Sequence, residues 1–115
     1  MANVQIFGRA KCFDTRKAER WFKERRISFQ RIDLAQKGMS KGELRAVRQA
    51  LGSVEAMLNT THPNAAVVKY LVGEEAQLEK LAENPELLAS PIVRCGKLAT
   101  VGDCPDVWKQ WPLVP

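Results

Sequence analysis

The spacing of hydrophobic residues changes several times along the chain, and each change marks an element. Val4-Gln5-Ile6-Phe7 is a short β-prone run closed by Gly8, which predicts a strand. A polar loop follows, and beyond it Ala18, Trp21 and Phe22 recur on one face of a helix. Ile27 to Ile32 is a second β-prone run, with β-branched residues at both ends and Phe29 between them. It arrives after a helix of crossover length, so the opening unit reads as βαβ. Such units pair their strands in parallel with a right-handed crossover, and their functional groups gather at the carboxyl ends of the strands. The loop after Phe7 lies at that end.

The middle of the chain reads as helix. Ser40-Lys41-Gly42-Glu43 has the S-x-x-E form of a capping box, Leu44, Val47 and Leu51 line one face, and Gly52 stands where a helix C′ residue is expected. Shorter helices are predicted over Ser53 to Leu58, Pro63 to Leu71 and Glu75 to Glu83, the last with Leu78, Leu81 and Ala82 inward. Pro85 breaks the pattern before Leu87 and Leu88.

From Pro91 the period shortens again. Ile92 to Arg94 and Leu98 to Val101 flank a Cys95-Gly96-Lys97 turn, which predicts a β-hairpin. A last helix is expected over Pro105 to Gln110, capped by Asp103, with Val107, Trp108 and Trp111 buried. A βαβ unit and a ββα unit together predict an α/β fold on the thioredoxin-like plan. Its four-stranded mixed sheet carries a helical insertion over about residues 34–90.

Composition narrows the class. Apolar residues make up 45% and charged residues 27% of the 115 residues, values of a folded globular chain that exclude disorder and fibrous repeats. One domain over residues 1–115 is expected, because this length leaves no room for two cores. No apolar run approaches the roughly 20 residues that span a bilayer, and the N-terminus lacks a secretory signal pattern. A cytoplasmic location without a membrane partner is therefore expected. The net charge of +5 raises the question of nucleic acid. The excess is local: Arg9, Lys11, Arg16, Lys17, Arg20, Lys23, Arg25, Arg26 and Arg31 face only Asp14, Glu19 and Glu24 in the first third. With no stacking aromatics beside it, this reads as a solvated helix face, so nucleic acid is not expected as a partner.

The candidate chemistry is a thiol. The three cysteines, Cys12, Cys95 and Cys104, fit neither a disulfide framework nor a zinc pattern, so no metal is expected and at least one thiol is free. Cys12 ends a strand-loop and opens a helix, where unpaired N–H groups and the positive dipole end favour thiolate. The dipole supplies about 0.3–1 kcal/mol, less than the ~1.36 kcal/mol of one pKa unit, so further help is needed. Arg9, Lys11 and Arg16 stand near enough in sequence to give it, and the Thr15 hydroxyl can donate to the sulfur. Asp14 opposes the thiolate unless it caps the helix. The alternative is that Cys12 is a small buried hydrophobe, and its cationic and polar neighbours argue against that. Cys95, ending a strand, reads as packing. Cys104 opens the last helix and is a candidate resolving thiol, while His62, beside Pro63, reads as a helix-start residue rather than a general base.

Three segments together resemble the ArsC-like family of arsenate reductases, Spx regulators and YffB-type proteins. They are Ile6 to Ala18 with its C-x-x-[ST/C]-R core at Cys12 to Arg16, Met57-Leu58-Asn59-Thr60, and Asn84-Pro85-Glu86-Leu87-Leu88-Ala89-Ser90-Pro91-Ile92-Val93. The resemblance implies Cys12, Thr15 and Arg16 as catalytic residues and Arg9, Lys11, Asn59, Ser90 and Pro91 as substrate contacts. It also implies a cis peptide bond at Pro91, facing the cysteine. Arsenate reductases of this kind carry oxyanion-binding arginines at positions that here hold Asn59, Ser90 and Asp103, so arsenate reduction is disfavoured. The C-x-x-C switch common in Spx proteins is missing, because Thr15 takes the second position. What remains closest is the YffB-type branch, and that resemblance implies a glutathione-dependent monothiol reductase with no bound cofactor, its partners being glutathione or a protein thiol or disulfide. The alternatives are an Spx-like module binding RNA polymerase or another protein and, behind it, an arsenate reductase.

Overall fold

The computed structural model describes residues 4–113. The strands β1 (Val4–Gly8), β2 (Phe29–Asp33), β3 (Ile92–Cys95) and β4 (Leu98–Val101) form a four-stranded sheet in the order β2-β1-β3-β4. β1 runs parallel to β2 and antiparallel to β3, and β3 runs antiparallel to β4. The helices are α1 (Phe13–Glu24), α2 (Lys41–Leu51), α3 (Ala65–Lys69), α4 (Glu74–Glu83) and α5 (Pro105–Trp108). α1 crosses from β1 to β2, α2 to α4 lie between β2 and β3, and α5 follows the hairpin.

The pleat sorts the strand residues onto two cores. Val4, Ile6, Val93 and Cys95 face one side, where Ala18 and Phe22 of α1 and Trp108 of α5 pack on them. Phe7, Ile32 and Ile92 face the other, under Leu44, Val47, Leu78 and Leu81 of α2 and α4. The buried Trp108 indole N–H donates to the Thr100 hydroxyl at 2.8 Å, so the largest fully buried side chain is also tied polar-to-polar to β4. β2 is an edge strand, and its exposed Gln30 and Arg31 keep that edge from pairing further.

Local signals place several ends. Both hydrogen bonds of the Ser40–Glu43 capping box are made, and Gly52 closes α2 in the left-handed region at φ 92°. α1 ends differently from the expectation. Ile27 N–H donates to Phe22 O and Arg26 N–H to Lys23 O, the pair of bonds that makes a Schellman turn, with Arg26 at φ 59°. Ile27 therefore belongs to the helix stop, and β2 begins at Phe29.

The other departures arise where packing outweighs propensity. Between α2 and α3 the chain makes only a 3-10 turn over Glu55–Met57, and α3 is shorter than the Pro63 to Leu71 segment. Pro85 opens a second 3-10 turn, Pro85–Leu87, and Leu58 and Leu88 form an isolated antiparallel bridge. α5 stops at Trp108, its N-cap is Cys104, and no side chain caps it, so Asp103 does not play that part. Val107 is exposed because so short a helix turns only Trp108, with Trp111 beyond it, toward the core.

Candidate functional site

The site forms where the β1–α1 loop meets the segment before β3. Gly8 ends β1 and lets α1 approach closely: a Cβ there would lie 2.4 Å from Thr15 Cγ2 and 2.5 Å from Thr15 Oγ1. Cys12 is the N-cap of α1, extended at φ −81° and ψ 120°, and Arg16 N–H closes the first turn on its carbonyl. The Cys12 thiol donates to the Ser90 carbonyl oxygen at 3.6 Å, across 78 residues of sequence. The Ser90–Pro91 peptide bond is cis, and Pro91 O accepts from Gly102 N–H at 2.8 Å.

The thiol is half-buried, and burial alone raises its pKa. Hydrogen bonds outweigh that effect. The side chains of Ser90 and Thr15 and the backbone N–H groups of Thr15 and Asp14 favour the thiolate, holding Cys12 below the ordinary cysteine value of 9.0. The Thr15 hydroxyl is itself buried and has no partner among the described residues while Cys12 is a thiol. Ionising Cys12 supplies the acceptor it lacks. The helix start thus holds donors ready for the charge that ionisation places on the sulfur.

The cations do other work than the sequence suggests. Arg9 Nη2 donates to Pro85 O at 2.8 Å and ties the cysteine loop to the second 3-10 turn. Arg16 Nε donates to Ala10 O at 3.2 Å and steadies the loop from the helix side. Lys11 is exposed, and Phe13, next to the thiol, is 70% exposed with Lys17 Nζ 5.1 Å from its ring centre. Asn59 spends its side-chain oxygen on Thr61, at 2.6 Å to the hydroxyl and 3.2 Å to the N–H.

The remaining thiols separate clearly. Cys95 is buried in the core beside α1 and α5. Cys104 donates to Val101 O at 3.3 Å, and burial followed by the charge of Asp103 pushes its pKa up. All three cysteines are free, and Cys104 is held as a protonated thiol rather than as a ready attacker of a Cys12 adduct. His62 accepts from Asn64 N–H at 3.1 Å and serves its own turn.

Sequence reading gave no site role to three residues of this region. Glu19 is buried on the inner face of α1, where its carboxylate pairs with the Arg31 guanidinium through Nε and, at 2.6 Å, through Nη2. Arg31 and Asp33 share the face of β2 that α1 covers, as the alternation along the strand requires. The signal was present in the spacing of Thr15, Ala18, Glu19 and Phe22, which all fall on the buried stripe of the helix.

A mixed sheet with a donor-surrounded thiol opening its first helix, opposite a cis-proline segment, defines a thioredoxin-like thiol protein. The model of the ArsC family matches residues 7–111, and the chain belongs to that family. It is 30% identical over 106 residues to the uncharacterized protein YusI of Bacillus subtilis, covering 87% of this chain and 90% of that protein. It is 28% identical to the global transcriptional regulator Spx 2 of Oceanobacillus iheyensis, over 96% of this chain and 93% of the regulator. Among solved structures, an arsenate reductase from Vibrio cholerae superposes with a TM-score of 0.79 at 26% identity, covering 92% of this chain and 94% of that one. A YffB protein superposes with a TM-score of 0.75 at 22% identity, over 92% of this chain and 96% of its own, a likeness of fold alone.

Proposed function

We propose that this protein is a monothiol thiol–disulfide reductase with Cys12 as nucleophile and glutathione as co-substrate. The observation that carries the reading is the donor set around Cys12, which favours thiolate in spite of burial. The Cys12 thiolate attacks a glutathione mixed disulfide, forming a Cys12–glutathione disulfide and releasing the acceptor as a thiolate. A second glutathione thiolate then attacks the glutathione sulfur of that adduct, giving oxidised glutathione and restoring Cys12. The raised pKa of Cys104 favours this external resolution over an internal one. Free thiols suit a reducing compartment, so the cytoplasm is the proposed location.

Arsenate reduction finds less support. Asn59 is engaged by Thr61, Ser90 offers a hydroxyl rather than a guanidinium, and the exposed Asp103 adds negative charge. A protein-binding role is the second reading. It is favoured by the exposed Val67, Tyr70 and Val72 at the end of α3 and by the relative named as the regulator Spx 2.

The test is the pH profile of Cys12 alkylation with and without glutathione, together with reduction of a glutathionylated peptide. A profile displaced below the free-cysteine curve, and turnover abolished in Cys12→Ser, are expected. A Cys12 titrating like free cysteine refutes the reductase. Specific capture of a protein partner by Cys12→Ser at the wild-type level, without turnover by the wild type, favours the binding module.

A further inference from the structure

A cavity of about 160 Å³ opens beside the thiol loop, at the carboxyl ends of the two parallel strands β1 and β2. By volume it holds about five water molecules, or one group the size of an amino acid. Its charged walls are Arg9, Arg16, Glu19, Arg31 and Asp33, and Thr15 lines it from α1. Cys12 is not in the wall, but Thr15 belongs to both the cavity and the donor set of the sulfur.

The state of the charges decides what the cavity takes. Glu19 and Arg31 neutralise one another through two hydrogen bonds. Asp33 Oδ1 is engaged by Ala35 N–H at 2.9 Å. Arg9 and Arg16 form no ion pair among the described residues; each gives one donor to a backbone carbonyl and keeps the rest of its guanidinium fork. The cavity therefore carries two uncompensated guanidinium groups against the lone Asp33. Planar guanidinium forks match a carboxylate in two-point geometry.

We propose that this cavity binds a carboxylate of the small acidic thiol that reacts at Cys12, held by Arg16 and Arg9. The assignment of the ligand as a thiol rests on the reductase reading; the assignment of the cavity as a carboxylate site rests on its walls. Such an anchor sets the distance between the ligand's sulfur and Cys12, and it selects acidic thiols over neutral ones.

The test uses S-methylglutathione, which cannot react, with the Cys12→Ser protein, followed by calorimetry and amide NMR. Binding is expected with shifts at Thr15 and Arg16, weakened at least tenfold for the dimethyl ester and at least tenfold in Arg16→Glu. Arg16 is exposed, so that variant folds. Equal affinity for acid and ester, wild-type affinity in Arg16→Glu, or amide shifts confined to Ser90 and Ile92 overturn the proposal. Stronger competition by inorganic phosphate than by glutarate overturns the carboxylate assignment. The two readings fail separately. Carboxylate-dependent binding to a protein whose Cys12 titrates like free cysteine leaves the cavity and removes the reductase, and a reactive Cys12 with ester-insensitive binding does the reverse.

Discussion

Replacing Thr15 by valine keeps the shape of the side chain and removes one donor from the Cys12 thiolate. Hydrogen bonds to charged groups are worth about 1.5–3 kcal/mol, and ~1.4 kcal/mol is a factor of ten in thiolate fraction. Three other donors remain around the sulfur, so the lower end applies, and the ionisation constant falls about tenfold, as does the thiolate fraction at any pH below the wild-type pKa. A more basic thiolate is also a better nucleophile, by about threefold for that change at a Brønsted slope near 0.45. The net alkylation rate is expected to fall about threefold below both pKa values, while above both it rises about threefold. The two pH–rate curves therefore cross. Stability should move the other way, because valine deletes a buried hydroxyl that has no partner in the thiol state. The assay is iodoacetamide alkylation of the Cys95→Ala/Cys104→Ser background from pH 5 to about 10, with urea melts alongside. Superimposable or parallel curves would show that Thr15 does not tune the sulfur.

Gly8→Ala forces a Cβ against the buried, β-branched Thr15 and should cost about 1–3 kcal/mol in urea melts while slowing alkylation; wild-type stability refutes the close-approach argument. Arg26→Gly relieves a left-handed arginine in the Schellman turn and should add about 1 kcal/mol, raising Tm by roughly 4 °C; an unchanged Tm counts against strain there. Folding lowers the Cys12 pKa, so between that value and 9.0 the unfolded chain keeps a proton the folded chain has lost, and stability rises with pH. Folding raises the Cys104 pKa, so its contribution is full below 9.0 and is lost as pH climbs through the raised value. Denaturation curves across alkaline pH should lose the rise in Cys12→Ser and the fall in Cys104→Ser, and the opposite pairing refutes both assignments.

Much of the scaffold is written in local pattern. The capping box at Ser40, the left-handed Gly52, the hairpin around Gly96 and the βαβ opening are legible because each depends on neighbours a few residues away. Cys12 at the start of α1 is legible for the same reason, since a strand end, a loop and a helix stripe fix its place. The stop of α1 was not, because the Schellman turn uses Arg26 where glycine is the usual signal. What only the tertiary structure decided are the contacts across long separations: Cys12 on Ser90, Arg9 on Pro85, Glu19 on Arg31, and Gly8 yielding to Thr15. Sequence proximity assigned Arg9, Lys11 and Arg16 to the sulfur, yet packing gave Arg9 and Arg16 to backbone carbonyls and left activation to hydroxyls and helix N–H groups. The physical reason is range. Propensity and capping act within a turn, whereas the electrostatics of a thiol depend on whichever groups folding brings within a few ångströms of it.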